Sequence, residues 1–178
     1  MGPPGSGKTR LARELSGTLS IPAIYLDREF FLHGFIKPDS DMWRETARNF
    51  ANEERWIMDG NYFDVIEHRL LRADTLVILD MPLHKCVFRA YVRTFSHIGN
   101  IRDDLGQEER IRLSHLFNIL TYRCRKWQRI ERVIEIARCN KKAVFLLKSD
   151  GQIASFVCLV KKQEDMALFG EILKPNLR

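Results

Sequence analysis

The sequence predicts an α/β fold, a parallel sheet with helices on both faces, and three observations predict it. Short apolar runs alternate with helical patterns along the whole chain. The run Thr75-Leu76-Val77-Ile78-Leu79 is continuously apolar, as a strand buried on both faces must be. Residues 2 to 9, GPPGSGKT, spell a complete phosphate-binding loop that leads directly into a helical pattern.

The loop comes first. Gly2, Gly5 and Gly7 allow sharp turns that present backbone N–H groups to phosphate oxygens, with Pro3, Pro4 and Ser6 between them. Lys8 brings a point charge for the phosphates. Thr9 brings a hydroxyl for a magnesium ion and opens a helix whose N-terminus favours an anion. Only Met1 precedes the loop, whereas such a loop ordinarily follows a buried strand of about five residues. The expectation is that the native product carries an apolar stretch upstream of Gly2. The alternative is that another segment, such as Ile153 to Val160, fills the strand's place.

The helix from Lys8 to Thr18 carries Leu11, Ala12 and Leu15 on one face, and Pro22 ends that pattern. Ala23 to Leu26 reads as a strand ending at Asp27. His33 to Ser40, with Gly34 and Pro38, reads as a loop. Asp41 is placed to cap a helix from Met42 to Asn52. Trp56-Ile57-Met58 is a second strand, ending at Asp59-Gly60, and Asp64 to Arg72 a short helix. The strand Thr75–Leu79 ends at Asp80, and Pro82 starts a helix that runs to Ser96. Gly99 to Gly106 is polar, Gln107 to Arg138 helical as one helix or two, Ala143 to Leu147 a fourth strand, and a last helix is capped by Ser149 or Asp150. Ligands of such sheets bind at the carboxyl ends of the strands, where Asp27, Asp59 and Asp80 stand.

Bulk properties narrow the classes. The 178 residues suit one domain, 1–178, with a sizeable core. No apolar run approaches the length of a membrane span, and no basic and apolar leader precedes the loop, so the reading is cytoplasmic and without membrane. Cys86, Cys124, Cys139 and Cys158 form no C-x-x-C pair, and read as reduced, mostly buried thiols. A net charge of +6, concentrated in the Arg-rich stretch from Arg123 to Arg138, suits anionic ligands. A nucleic-acid contact is the lesser reading, since a basic helix face is more often a solvated surface. The five histidines show no metal-ligand spacing.

The order phosphate loop, Leu26-Asp27, Trp56-Ile57-Met58-Asp59-Gly60-Asn61-Tyr62 and Leu79-Asp80-Met81-Pro82, then a helix bearing arginines, resembles the bacterial topology modulation proteins, which are adenylate-kinase-like P-loop proteins. The likeness runs from Gly2 to about Leu147, and residues 56 to 62 are its most specific piece. It implies a nucleoside-kinase core with strand order 2-3-1-4-5, from which the first and central strand would be missing. It implies an ATP- and Mg²⁺-dependent phosphotransferase acting on a nucleotide, nucleoside or other small hydroxyl compound. In that order Asp59 lies beside the loop and is the better partner for the metal. Asp80 is the rival, with a helix cap as its blander role. Asp27 either orients or deprotonates the acceptor hydroxyl or caps a turn, the two readings standing even.

Arg89 and Arg93, seven and eleven residues after Pro82, match arginine spacings that adenylate kinases use on the transferring phosphate. Residues 97–112 stand where such kinases carry a small lid, and Arg102 resembles a lid arginine. Arg123 either faces the phosphates or is a surface charge. Asn61 and Tyr62 line the cleft or, for Tyr62, the core. The alternative from another class is a nucleotide-binding regulator associated with DNA, with little or no kinase turnover.

Overall fold

The computed structural model describes residues 1–30, 39–96, 101–102, 107–108 and 113–172. Helices α1 (Lys8–Leu19), α2 (Leu26–Phe30), α3 (Ser40–Asn52), α4 (Ile66–Arg72), α5 (Leu83–Ser96), α6 (Leu113–Cys139) and α7 (Asp150–Ile172) surround strands β1 (Ala23–Tyr25), β2 (Ile57–Asp59), β3 (Thr75–Leu79) and β6 (Ala143–Leu147). An antiparallel pair of two-residue strands, β4 (Ile101–Arg102) and β5 (Gln107–Glu108), is all that is described within 97–112, where the lid was expected.

The strands pair in parallel, as the alternation of apolar runs and helices requires. β1 lies on β2 with Ala23 opposite Ile57, and β3 on β6 with Thr75 opposite Ala143 and Leu79 opposite Leu147. Among the described residues these strands form two separate parallel pairs, and no strand of the chain joins β2 to β3. Met1 ladders to the inner edge of β3. Its amine donates to Val77 O at 2.7 Å and its carbonyl accepts from Leu79 N at 2.8 Å, the pattern a parallel neighbour makes around Ile78. Ile153 to Val160 lies in α7, so it fills no strand position; Phe156 and Val157 instead pack on Leu11, Leu15 and Leu79.

Three apolar clusters hold the fold. One joins α1, α5 and α7 on one side of β3 and β6; a second joins α4 and α6 on the other side, through Leu70, Ile78, Ile130 and Val133. The third packs α3 on β1 through Ile24, Leu26, Trp43 and Ala47. Helices therefore cover both faces, which is why β3 reads as a continuous apolar run.

Several local expectations are corrected. The cap of α3 is Asp39 rather than Asp41: its carboxylate accepts from Asp41 N and Met42 N, and α3 starts earlier, at Ser40. Asp41 instead pairs with Arg44 one turn on. Residues 107–108 are extended, so the long basic helix begins at Leu113 and is unbroken to Cys139. The last helix runs on to Ile172. Of the four cysteines only Cys86 is buried; the other three lie exposed on α6 and α7, because their positions fall on the solvent side of those helices.

Candidate phosphate and metal site

The phosphate loop is built by close approach. Gly2 has φ +145° and Gly5 φ +77°; a Cβ on Gly2 would meet Leu79 O at 2.3 Å, and one on Gly5 would meet Cys86 O at the same distance. Only glycine lets the loop lie against the end of β3 and the start of α5 in this way. Ser6 closes the turn with its N–H on Pro3 O at 3.2 Å. Ser6 is fully buried, and among the described residues its hydroxyl has no partner.

Lys8 points back over the loop, with Nζ donating to Pro3 O at 2.8 Å. Burial holds its pKa below the ordinary lysine value, while the carboxylates of Asp59 and Asp27 act in the other direction. The end of β2 is thus brought to the same place as the first turn of α1. There Thr9 Oγ1 donates to Asp59 Oδ2 at 2.7 Å. A hydroxyl and a carboxylate in contact are hard oxygen donors of the kind Mg²⁺ takes, so these residues fit the ion. Among the described residues no group of three or more His, Cys, Asp or Glu side chains is placed to hold a metal; an ion on the Thr9–Asp59 pair would take its remaining ligands from phosphates and waters.

Asp80 is placed differently. Its carboxylate faces Arg123, Oδ2 to Nη2 3.7 Å, on the α6 side of β3. Arg123 also stacks on Trp127, 5.1 Å from the ring centroid. The structure therefore pairs Asp59, not Asp80, with the Thr9 hydroxyl.

Arg89 reaches the loop from α5. Its Nη1 donates to Ser6 O at 3.3 Å and lies 3.8 Å from where a Gly7 Cβ would be, while Nη2 pairs with Asp150 at the start of α7. Lys85 joins the same carboxylate at 2.9 Å, and both cations hold Asp150 below the usual carboxylate range. Arg93, one turn along α5, adds its positive charge at Lys8. The side chain of Arg102 falls outside the described residues.

Asp27 lies in the first turn of α2, just past β1. The Tyr62 phenol hydrogen-bonds it, and burial together with that negative charge pushes the phenol well above its ordinary pKa. Tyr62, Phe30 and Trp43 form an aromatic wall beside it, with ring centroids 4.9 to 5.1 Å apart. Tyr62 is thus a member of the core cluster and a neighbour of Asp27 at once. Asn61, expected in the cleft, is turned instead onto the backbone of Gly2. Asp150 and Arg69 had no motif to announce them. In the sequence Asp150 reads only as a helix cap.

The chain is similar to a solved structure of shikimate kinase from Acinetobacter baumannii in complex with shikimate. The TM-score is 0.52 and the identity 16%, over 99% of this chain and 92% of that one. No protein-family model and no curated protein matches the sequence. At that identity the likeness shows the fold alone, an α/β architecture resembling that of the kinase structure. Among the described residues no helix is long and apolar enough to cross a membrane.

Proposed function

We propose that the protein is a P-loop kinase that moves the terminal phosphoryl group of ATP to a small hydroxyl compound, with the whole chain acting as one domain. The observation that carries this reading is the contact of Thr9 with Asp59 at the mouth of a complete phosphate loop. The similarity to a kinase structure holding a small molecule supports the same class.

In this reading the N–H groups of residues 2 to 9 cradle the phosphates, and Lys8 leaves Pro3 O to neutralise their oxygens. Thr9 and Asp59 hold Mg²⁺, which when bound neutralises charge on the phosphate oxygens. Arg89 and Arg93 meet negative charge as it grows on the phosphoryl group, and Arg102 would close over it from the lid. Asp27 orients the acceptor hydroxyl and takes its proton, while the aromatic wall of Phe30, Trp43 and Tyr62 bounds the acceptor's side of the cleft. The family's order 2-3-1-4-5 with its first strand missing belongs to this proposal, supported by the two parallel pairs and by the contacts of Met1 with β3 and of Gly2 with Asn61. The likeness of residues 56 to 62 to topology modulation proteins belongs to the same proposal.

A second reading, a nucleotide-binding regulator on DNA, draws on the exposed arginines of α6, among them Arg125, Arg129 and Arg132. A screen of nucleotides, nucleosides and small polyols for ATP- and Mg²⁺-dependent phosphorylation tests the first reading. ATP binding without any phosphorylated acceptor, together with duplex-DNA affinity that falls steeply with salt, would replace it by the second.

A further inference from the structure

Asn61 stands two residues past Asp59, beyond the end of β2. Its side-chain amide makes two hydrogen bonds to a single residue: Oδ1 accepts from Gly2 N at 3.0 Å, and Nδ2 donates to Gly2 O at 2.8 Å. A neighbouring strand offers a backbone residue this kind of donor-and-acceptor pairing, and here a side chain supplies it. Met1, one residue earlier, is laddered to β3 by main-chain bonds. The entry to the phosphate loop is therefore held from both sides, by β3 through its backbone and by the β2 side through Asn61.

The peptide between Asp59 and Asn61 is held as well. Arg69 on α4 is only 6% exposed, and both Nη1 and Nη2 donate to Gly60 O at 3.2 Å. A guanidinium taken out of water is costly unless its position is over-determined. The negative charge of Asp59 acts on it favourably.

We propose that Asn61 and Arg69 are positioning residues that lock the Asp59–Asn61 segment to the mouth of the phosphate loop, so that the metal carboxylate and the phosphate cradle keep one geometry. This rests on the kinase reading of the site. Asp59 reaches Thr9 across the space between β2 and α1. A carboxylate free to swing on an unbraced segment would bind the ion without registering it against the phosphates. The quantity at stake is the coupling between Mg²⁺ and ATP, which by linkage is the same whichever is added first.

The test is calorimetric titration of ATP into the 178-residue chain with MgCl₂ and with EDTA, for the unaltered protein and for Asn61→Ala, Asn61→Asp, Asn61→Gln and Arg69→Lys. Thermal unfolding in EDTA is run beside it. The expected result is that Mg²⁺ tightens ATP binding in the unaltered chain, and that Asn61→Ala shrinks this tightening by about 10- to 100-fold. Affinity without Mg²⁺ should change less. Asn61→Asp keeps the acceptor for Gly2 N but loses the donor to Gly2 O, so it shrinks the tightening too. Asn61→Gln, which retains both groups, restores part of it. Arg69→Lys keeps the charge, loses the fork on Gly60 O and moves in the direction of Asn61→Ala, which keeps the question decidable if one variant does not fold. A variant set that unfolds at lower temperature yet keeps the full Mg²⁺ tightening shows a merely structural role and overturns the proposal. ATP binding that is strong but indifferent to Mg²⁺ in the unaltered chain overturns the lock while leaving nucleotide binding standing. No ATP binding at all overturns the kinase reading and the lock with it.

Discussion

Replacing Asp59 by Asn keeps size and an acceptor for the Thr9 hydroxyl but removes the charge, and the structure says what that charge supports. Asp59 acts on the buried cations Lys8 and Arg69, and the loss falls on them. Leaving a buried charge without its partner costs about 3–5 kcal/mol; Asp59 is partly exposed, so about 2–3 kcal/mol is expected. For a chain of this size that lowers Tm by roughly 4–12 °C. Asp80→Asn should do less, because its partner Arg123 is 71% exposed at 3.7 Å; a pair of that kind is worth about 1 kcal/mol or less. The assay is thermal unfolding by circular dichroism in EDTA, followed by ATP titration with Mg²⁺. Asp59→Asn should lose Mg²⁺-dependent tightening and Asp80→Asn should keep most of it. A Tm loss as large in Asp80→Asn, or retention of the Mg²⁺ effect in Asp59→Asn, would refute the reasoning and pass the metal role to Asp80.

The other expectations concern the loop and the arginines. Lys8→Ala should weaken ATP binding by roughly 10- to 150-fold, the worth of one charge-assisted contact of about 1.5–3 kcal/mol. Because burial already disfavours the Lys8 charge, its Tm in EDTA should hold or rise; unchanged ATP affinity would count against the site. Arg89→Ala and Arg93→Ala should lower kcat on the order of 100-fold or more while moving KM for ATP much less, and equal effects on both would make them ground-state phosphate holders.

Local chemistry was legible in the sequence, and contacts over long range were not. The phosphate loop, the carboxyl-end aspartates and the strand Thr75–Leu79 announce themselves, because turn geometry and burial on both faces each demand particular residue types at particular spacings. The arginine face of α5 follows from the same helical arithmetic, with Arg89 and Arg93 one turn apart. Even local reading slipped where two candidates compete within a turn: Asp39 and Asp41 both precede α3, and only the backbone angles at Asp39 let its carboxylate reach Asp41 N and Met42 N.

What composition and spacing left open, packing settled. Asp59 and Asp80 both end apolar strands, and only the approach of β2 to α1 places Asp59 on Thr9 while α6 brings Arg123 to Asp80. Asn61 reads in the sequence as a cleft residue, and its bond to Gly2, fifty-nine residues away, appears only in the fold. Arg69 belongs to no motif in the sequence, and only the fold buries it against Gly60 O. The sequence by itself determined the fold class, the phosphate loop and the supply of charged groups, since these depend on residues close together in the chain. The tertiary structure alone decided which carboxylate meets the hydroxyl and which side chains hold it there, because a side chain's partners across the sheet depend on the path of the whole chain between them.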